Sequence, residues 1–87
     1  MSRRLRRRIE RDFREPGSAG EVIRLVGAMG DSERVQAAVV VWAKGDIARL
    51  RDACDLAGQD WRDVLVRAGL ADEDWRTRLD VELGPDG

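Results

Sequence analysis

Hydrophobic residues recur along this chain at helical spacing, in six short segments separated by glycines. In the first segment, Leu5, Ile9 and Phe13 occupy positions i, i+4 and i+8, on one face of a helix from about residue 2 to residue 14. The other segments predict helices over about 18–29, 32–44, 47–57, 61–68 and 73–83. A glycine after a helix readily adopts the left-handed conformation that ends it. The pattern predicts an all-α protein.

The segment from about residue 32 to residue 44 is apolar on almost every face, so that other helices must surround it. Three successive valines in it also favour a strand, but Ala37 and Ala38 precede them and the apolar run has the length of a helix. We therefore predict a compact bundle of five to six short helices around this central helix.

Three helix starts have recognisable caps. Ser18 and Glu21 have the form of a capping box, in which each side chain accepts a hydrogen bond from the backbone N–H of the other residue. Gly58 is expected to end the fourth helix, and Asp60 and Asp72 to cap the fifth and sixth.

The 87 residues suffice for one domain with a single core. We expect a basic N-terminal helix or arm over residues 1–15, one helical-bundle domain over 16–84, and a disordered tail over 85–87.

Charge is distributed unevenly along the chain. Residues 1–15 hold seven arginines and three carboxylates, a net charge of +4, whereas residues 16–87 hold nine basic and 14 acidic residues, a net charge of −5. Arginine greatly outnumbers lysine, and the chain has no His, Tyr or Asn. This usage follows GC-rich codons and indicates a bacterium with a high-GC genome.

The single cysteine, Cys54, cannot form an internal disulfide. The sequence contains no apolar run of about 18 residues and no signal-peptide pattern behind its arginines. We therefore expect a soluble cytoplasmic protein.

Two segments carry a resemblance. Residues 33–38 read ERVQAA, and residues 60–66 read DWRDVLV and are followed by Ala68, Gly69 and Leu70. Over about residues 18–83 the chain resembles short uncharacterised all-helical proteins of actinobacteria, a group with no assigned activity. The resemblance implies a lineage and a helical fold, and it carries over no functional residue.

Catalytic chemistry has few candidate groups in a chain without His or Tyr. Cys54 falls on an apolar stripe, where a cysteine packs as a small hydrophobe, and a reactive thiolate needs an electropositive and accessible setting. The acidic run 72–74 lacks the loop spacing of a calcium site and complements a helix dipole instead. We expect no catalysis, no metal and no cofactor.

The arginine-rich N-terminus is a candidate site for phosphates or for a protein partner. Its candidate residues are Arg3, Arg4, Arg6, Arg7, Arg8, Arg11 and Arg14. An anionic membrane surface would also attract such an arm, with the apolar face of the helix inserted. The other interpretation is a solvated helix whose apolar face docks on the bundle.

The tryptophans admit a further interpretation. Trp42 belongs to the central helix and is expected in the core. Trp61 and Trp75 lie in the first turns of their helices. Each of them either packs in the core or is exposed as an interface anchor.

These observations favour a small non-catalytic binding or adaptor protein of the cytoplasm that acts through protein–protein contacts. The alternative is a nucleic-acid-associated protein that contacts phosphates through its arginine-rich N-terminus. Binding through phosphates falls steeply as salt rises, whereas an interface anchored by tryptophan tolerates salt.

Overall fold

The computed structural model describes residues 1–84, which form five α-helices and contain no β-strand. The helices are α1 (Arg3–Asp12), α2 (Ser18–Gly27), α3 (Glu33–Ala43), α4 (Ile47–Ala68) and α5 (Trp75–Leu83). The prediction of an all-α bundle is confirmed. The tail expected at 85–87 lies outside the described residues. None of the helices within residues 1–84 has both the length and the apolar character needed to cross a membrane.

Helix α3 is the centre of the bundle, as its sequence predicts. It packs against each of the other four helices, and its most deeply placed side chains have no exposed surface. Those side chains are Ala37, Ala38, Val39, Val40 and Ala43. Full burial of an aliphatic side chain the size of valine or leucine contributes about 1.5–3 kcal/mol, so this one helix organises much of the core.

Helix α1 docks on the bundle through its apolar face. Leu5 and Ile9 are fully buried, and Phe13, directly after the helix, is only 4% exposed. The Ser2 hydroxyl accepts a hydrogen bond from the Leu5 N–H at 3.3 Å and caps the start of the helix. The N-terminal segment is thus part of the bundle.

A buried arginine fixes α1 against two other helices. Arg4 is 7% exposed, and its guanidinium donates two hydrogen bonds to the Glu33 carboxylate of α3, at 2.7 and 3.0 Å. The same guanidinium donates to Asp80 of α5 and to the Gly84 carbonyl oxygen. The hydrogen bond from Arg4 lowers the pKa of Glu33 below its ordinary value, although burial acts in the opposite direction.

Helix α4 contains the break that the sequence predicts, but without an intervening loop. Asp60 has non-helical dihedrals (φ −153°, ψ 89°), and its side chain accepts a hydrogen bond from the Arg62 N–H at 3.2 Å. Gly58 has no positive φ, so the prediction that Gly58 ends a helix is wrong. The first half of α4 instead continues to Asp60, whose carboxylate caps the second half.

Two other predicted caps are wrong. Helix α2 has Gly17 as its N-cap with no side-chain hydrogen bond, and the Glu21 carboxylate accepts from Arg51 of α4 instead of completing a capping box with Ser18. Ser18 is already the first residue of the helix, so that its side chain is one position too late to act as the N-cap.

Helix α5 begins at Trp75, so neither the predicted start at residue 73 nor the Asp72 cap is correct. The Trp75 N–H donates to the Asp72 carbonyl oxygen at 3.1 Å, which closes a turn before the helix begins.

The turn between α3 and α4 presses against the end of α1. Lys44 and Gly45 both have positive φ, 52° and 78°, and a Cβ atom on Gly45 would lie 2.8 Å from the Asp12 carbonyl oxygen. Only glycine combines this conformation with this approach. The contact places Lys44 beside the arginines of α1.

Substitution of two glycines tests this backbone arrangement. We expect Gly45→Ala to lower the free energy of unfolding by about 1–3 kcal/mol, because it combines a strained φ with a backbone clash. Gly58→Ala should instead raise it by about 0.4–1 kcal/mol, since a Cβ there meets open space in a helix. Urea denaturation measures both values. A loss of stability in Gly58→Ala as large as that in Gly45→Ala would contradict a helical Gly58.

Candidate functional site

An apolar groove opens between the α2–α3 connection and the part of α4 that contains the break. Its volume is about 430 Å³. Its mainly apolar wall consists of Met29, Val35, Cys54, Ala57, Gly58 and Trp61, and three polar residues, Asp31, Ser32 and Gln36, complete the lining together with Gly30.

The break in α4 positions the aromatic side of this groove. Trp61 follows directly after Asp60, and its side chain lines the groove while 46% of the residue remains exposed. A large aromatic residue in that position costs little conformational entropy when a partner covers it, which is typical of interface anchors.

A buried glutamine holds the opposite wall. Gln36 is 3% exposed, and its side-chain amide donates to the Gly30 carbonyl oxygen at 2.6 Å and to the Val26 carbonyl oxygen at 3.4 Å. These bonds fix the α2–α3 connection against the start of α3. The amide therefore supports the groove and does not offer its donors to a ligand.

The polar groups around the groove are few. Among residues 1–84, no buried side-chain nitrogen or oxygen lacks a hydrogen-bond partner. The Ser32 hydroxyl accepts from the Val35 N–H as the cap of α3. Asp31 forms no ion pair with any described residue. Its carboxylate therefore lies free at the rim of the groove.

Cys54 forms part of the groove wall and is half-buried. Burial, with a smaller contribution from the negative charge of Asp55, raises the pKa of the Cys54 thiol to about 11. The thiol is thus protonated at neutral pH and presents a small apolar surface to the groove.

The other two tryptophans are more covered than Trp61. Trp75 is half-buried between two guanidinium groups, with Arg34 at 4.5 Å and Arg76 at 4.7 Å from its ring centroid. Trp42 is half-buried as well and packs against the core. Trp61 is therefore the tryptophan with a large free surface within residues 1–84.

The seven candidate arginines of the N-terminal segment divide into two sets. Arg4 and Arg8 point into the bundle, where Arg8 donates to Asp12 at 2.7 Å and to Glu82 at 3.1 Å. The other five arginines are exposed on the outer face of the segment, and they are Arg3, Arg6, Arg7, Arg11 and Arg14. Two of the seven arginines predicted to bind phosphates or a partner, Arg4 and Arg8, thus stabilise the fold instead.

A cleft of about 370 Å³ lies at the C-terminal end of α1. Four cationic residues and one carboxylate line it, together with Gly45, and they are Arg8, Arg11, Arg14, Lys44 and Asp12. Lys44 is not recognisable as a site residue from the sequence, because only the close approach of Gly45 to Asp12 brings it to this end of α1.

Acidic side chains do not assemble into a metal site. The run Asp72–Asp74 is exposed, and no group of three or more Cys, Asp or Glu side chains in the described part of the chain is arranged to hold a metal ion.

The reactivity of Cys54 reports the environment of the groove wall. We expect its rate of alkylation by iodoacetamide to rise with pH without a plateau up to about pH 10, because the thiolate forms only near pH 11. In urea the same thiol should titrate near its ordinary value. A plateau at or below the ordinary thiol pKa in the folded protein would contradict a buried thiol.

Comparison with protein-family models, with curated proteins and with solved structures gives no match for this chain. The resemblance to short actinobacterial proteins therefore stays a prediction from the sequence.

Proposed function

We propose that this protein is a small non-catalytic binding protein, and that its groove takes one or two apolar side chains of a partner protein. The observation that carries this proposal is Trp61, nearly half exposed at the edge of an apolar groove. From the sequence, we also propose that it acts in the cytoplasm.

The polar groups favour a peptide segment over a polar small molecule. Ligand pockets orient small molecules with several convergent polar groups, whereas here Gln36 and Ser32 are used within the fold. Asp31 at the rim and Asp55 beside Cys54 place two negative charges near the groove, against the one positive charge of Arg62, whose guanidinium lies 5.2 Å from the Trp61 ring centroid. The partner segment should therefore combine a large apolar residue with a nearby Arg or Lys.

The volume of the groove agrees with this occupant. A volume of about 430 Å³ leaves room for one or two large apolar side chains. An anchor residue in such a pocket often dominates the binding energy, while the surrounding contacts exclude water.

Selection from a library of random short peptides tests the proposal. Enriched peptides should contain a large apolar residue close to Arg or Lys. Trp61→Ala should weaken their binding about tenfold or more, the loss of about 1.4 kcal/mol expected for an anchor. Isothermal titration calorimetry with synthetic peptides measures the Kd.

Two further variants make the test specific. Val66→Ala removes a 65% exposed apolar side chain elsewhere on α4 and should leave the Kd unchanged within about twofold. Asp31→Asn should weaken basic peptides only. The proposal fails if no peptide is enriched above background, or if Trp61→Ala and Val66→Ala bind the selected peptides equally well.

A further inference from the structure

We propose a second binding surface, separate from the groove and made by the outer face of α1 and by two residues beside its C-terminal end, that binds the phosphate backbone of nucleic acid. It comprises Arg3, Arg6, Arg7, Arg11, Arg14 and Lys44, and we call it the arginine face. This inference does not depend on the function proposed for the groove.

The fold itself separates the arginine face from the structural arginines. Arg4 and Arg8 are engaged with carboxylates of α1, α3 and α5. Within residues 1–84, the exposed Arg3, Arg6 and Arg7 form no ion pair. Their guanidinium groups are therefore available to a ligand.

The length of the arginine face suits a phosphate backbone. At a helical rise of about 1.5 Å per residue, Arg3 and Arg11 of α1 are separated by about 12 Å along the axis. One strand of duplex DNA presents a phosphate about every 3.4 Å along its axis, so that α1 matches three to four phosphates, and Arg14 and Lys44 lie beyond its end.

The cleft at the end of α1 extends the arginine face beyond the helix. Arg11, Arg14 and Lys44 line this cleft, whose volume is about 370 Å³. The one carboxylate in the cleft is already used, since Asp12 accepts from Arg8 at 2.7 Å and from Arg11 at 3.4 Å. The strained turn at Lys44 and Gly45 holds the lysine in this position.

The burial of the apolar face argues against a membrane as the target. An interfacial helix inserts apolar side chains among the lipids, but Leu5, Ile9 and Phe13 are in the core. The arginine face offers charge without apolar surface, which suits a solvated polyanion better than a bilayer.

Substitution of Glu10 provides a test in which the affinity for nucleic acid should rise instead of fall. It is exposed on the same outer face as Arg3 and Arg7, and it forms no ion pair with a described residue. A phosphate near these arginines is repelled by Glu10. Glu10→Gln should therefore strengthen binding of nucleic acid by about twofold to fivefold at low salt.

Fluorescence anisotropy of the full chain with labelled duplex DNA and single-stranded RNA tests the arginine face. For duplex DNA, log Kobs should fall against log salt with a slope of about −2.7 to −4.5, as expected for three to five phosphates. The triple variant Arg3→Gln, Arg7→Gln, Arg14→Gln should lose at least about tenfold in affinity at low salt.

A control variant lowers the net charge by the same three units at positions outside the arginine face. Arg24→Gln, Arg62→Gln and Arg76→Gln replace three exposed arginines of the bundle and should change the affinity by less than about twofold. Trp61→Ala should also bind nucleic acid normally, which separates this surface from the groove. Circular dichroism checks that each variant is folded.

Three results would overturn the proposal. The first is no binding to either oligonucleotide at low salt, and the second is an equal loss of affinity in the two triple variants. The third is binding to vesicles that contain phosphatidylserine without binding to nucleic acid, which would assign the arginine face to an anionic membrane surface.

Discussion

The arrangement of helices in this protein depends on how one buried cation is neutralised. Arg4 loses nearly all contact with water, and an unpaired charge in that position would cost several kcal/mol. The carboxylates of Glu33 in α3 and Asp80 in α5 compensate for the lost hydration of Arg4. They reach its guanidinium only if α1, α3 and α5 are correctly aligned with one another. The ion pairs therefore select one orientation of α1 about its own axis, in addition to the non-directional burial of its apolar face.

That orientation produces the arginine face. With Leu5, Arg4 and Arg8 directed inward, the other arginines of α1 necessarily lie outside, and the end of the helix meets the turn at Lys44 and Gly45. The groove has a different origin, in the break of α4 at Asp60. One set of side chains thus offers charge and the other offers apolar surface, which suits two different kinds of partner.

The local pattern of the sequence predicts most of the fold, because helical periodicity and the apolar run of α3 are local properties. The break near Asp60 is predictable for the same reason. The partners of Arg4 cannot be predicted from the local pattern, because they lie 29 and 76 positions away in the chain. The Ser18 cap is wrong because Gly17 becomes the N-cap, while Glu21 has a partner on α4 that only the tertiary structure supplies. The groove and the role of Lys44 likewise depend on contacts between distant segments.

A double-mutant cycle between Arg4 and Glu33 tests the central role of the buried cation most directly. In urea denaturation, Arg4→Gln should cost about 1.5–3 kcal/mol, as for hydrogen bonds of a charged group, and the exposed Arg7→Gln should stay within about 0.5 kcal/mol of the parent. With Glu33→Gln as the second change, the coupling energy should exceed about 1 kcal/mol. Additive effects, or an Arg4→Gln protein as stable as Arg7→Gln, would contradict the account.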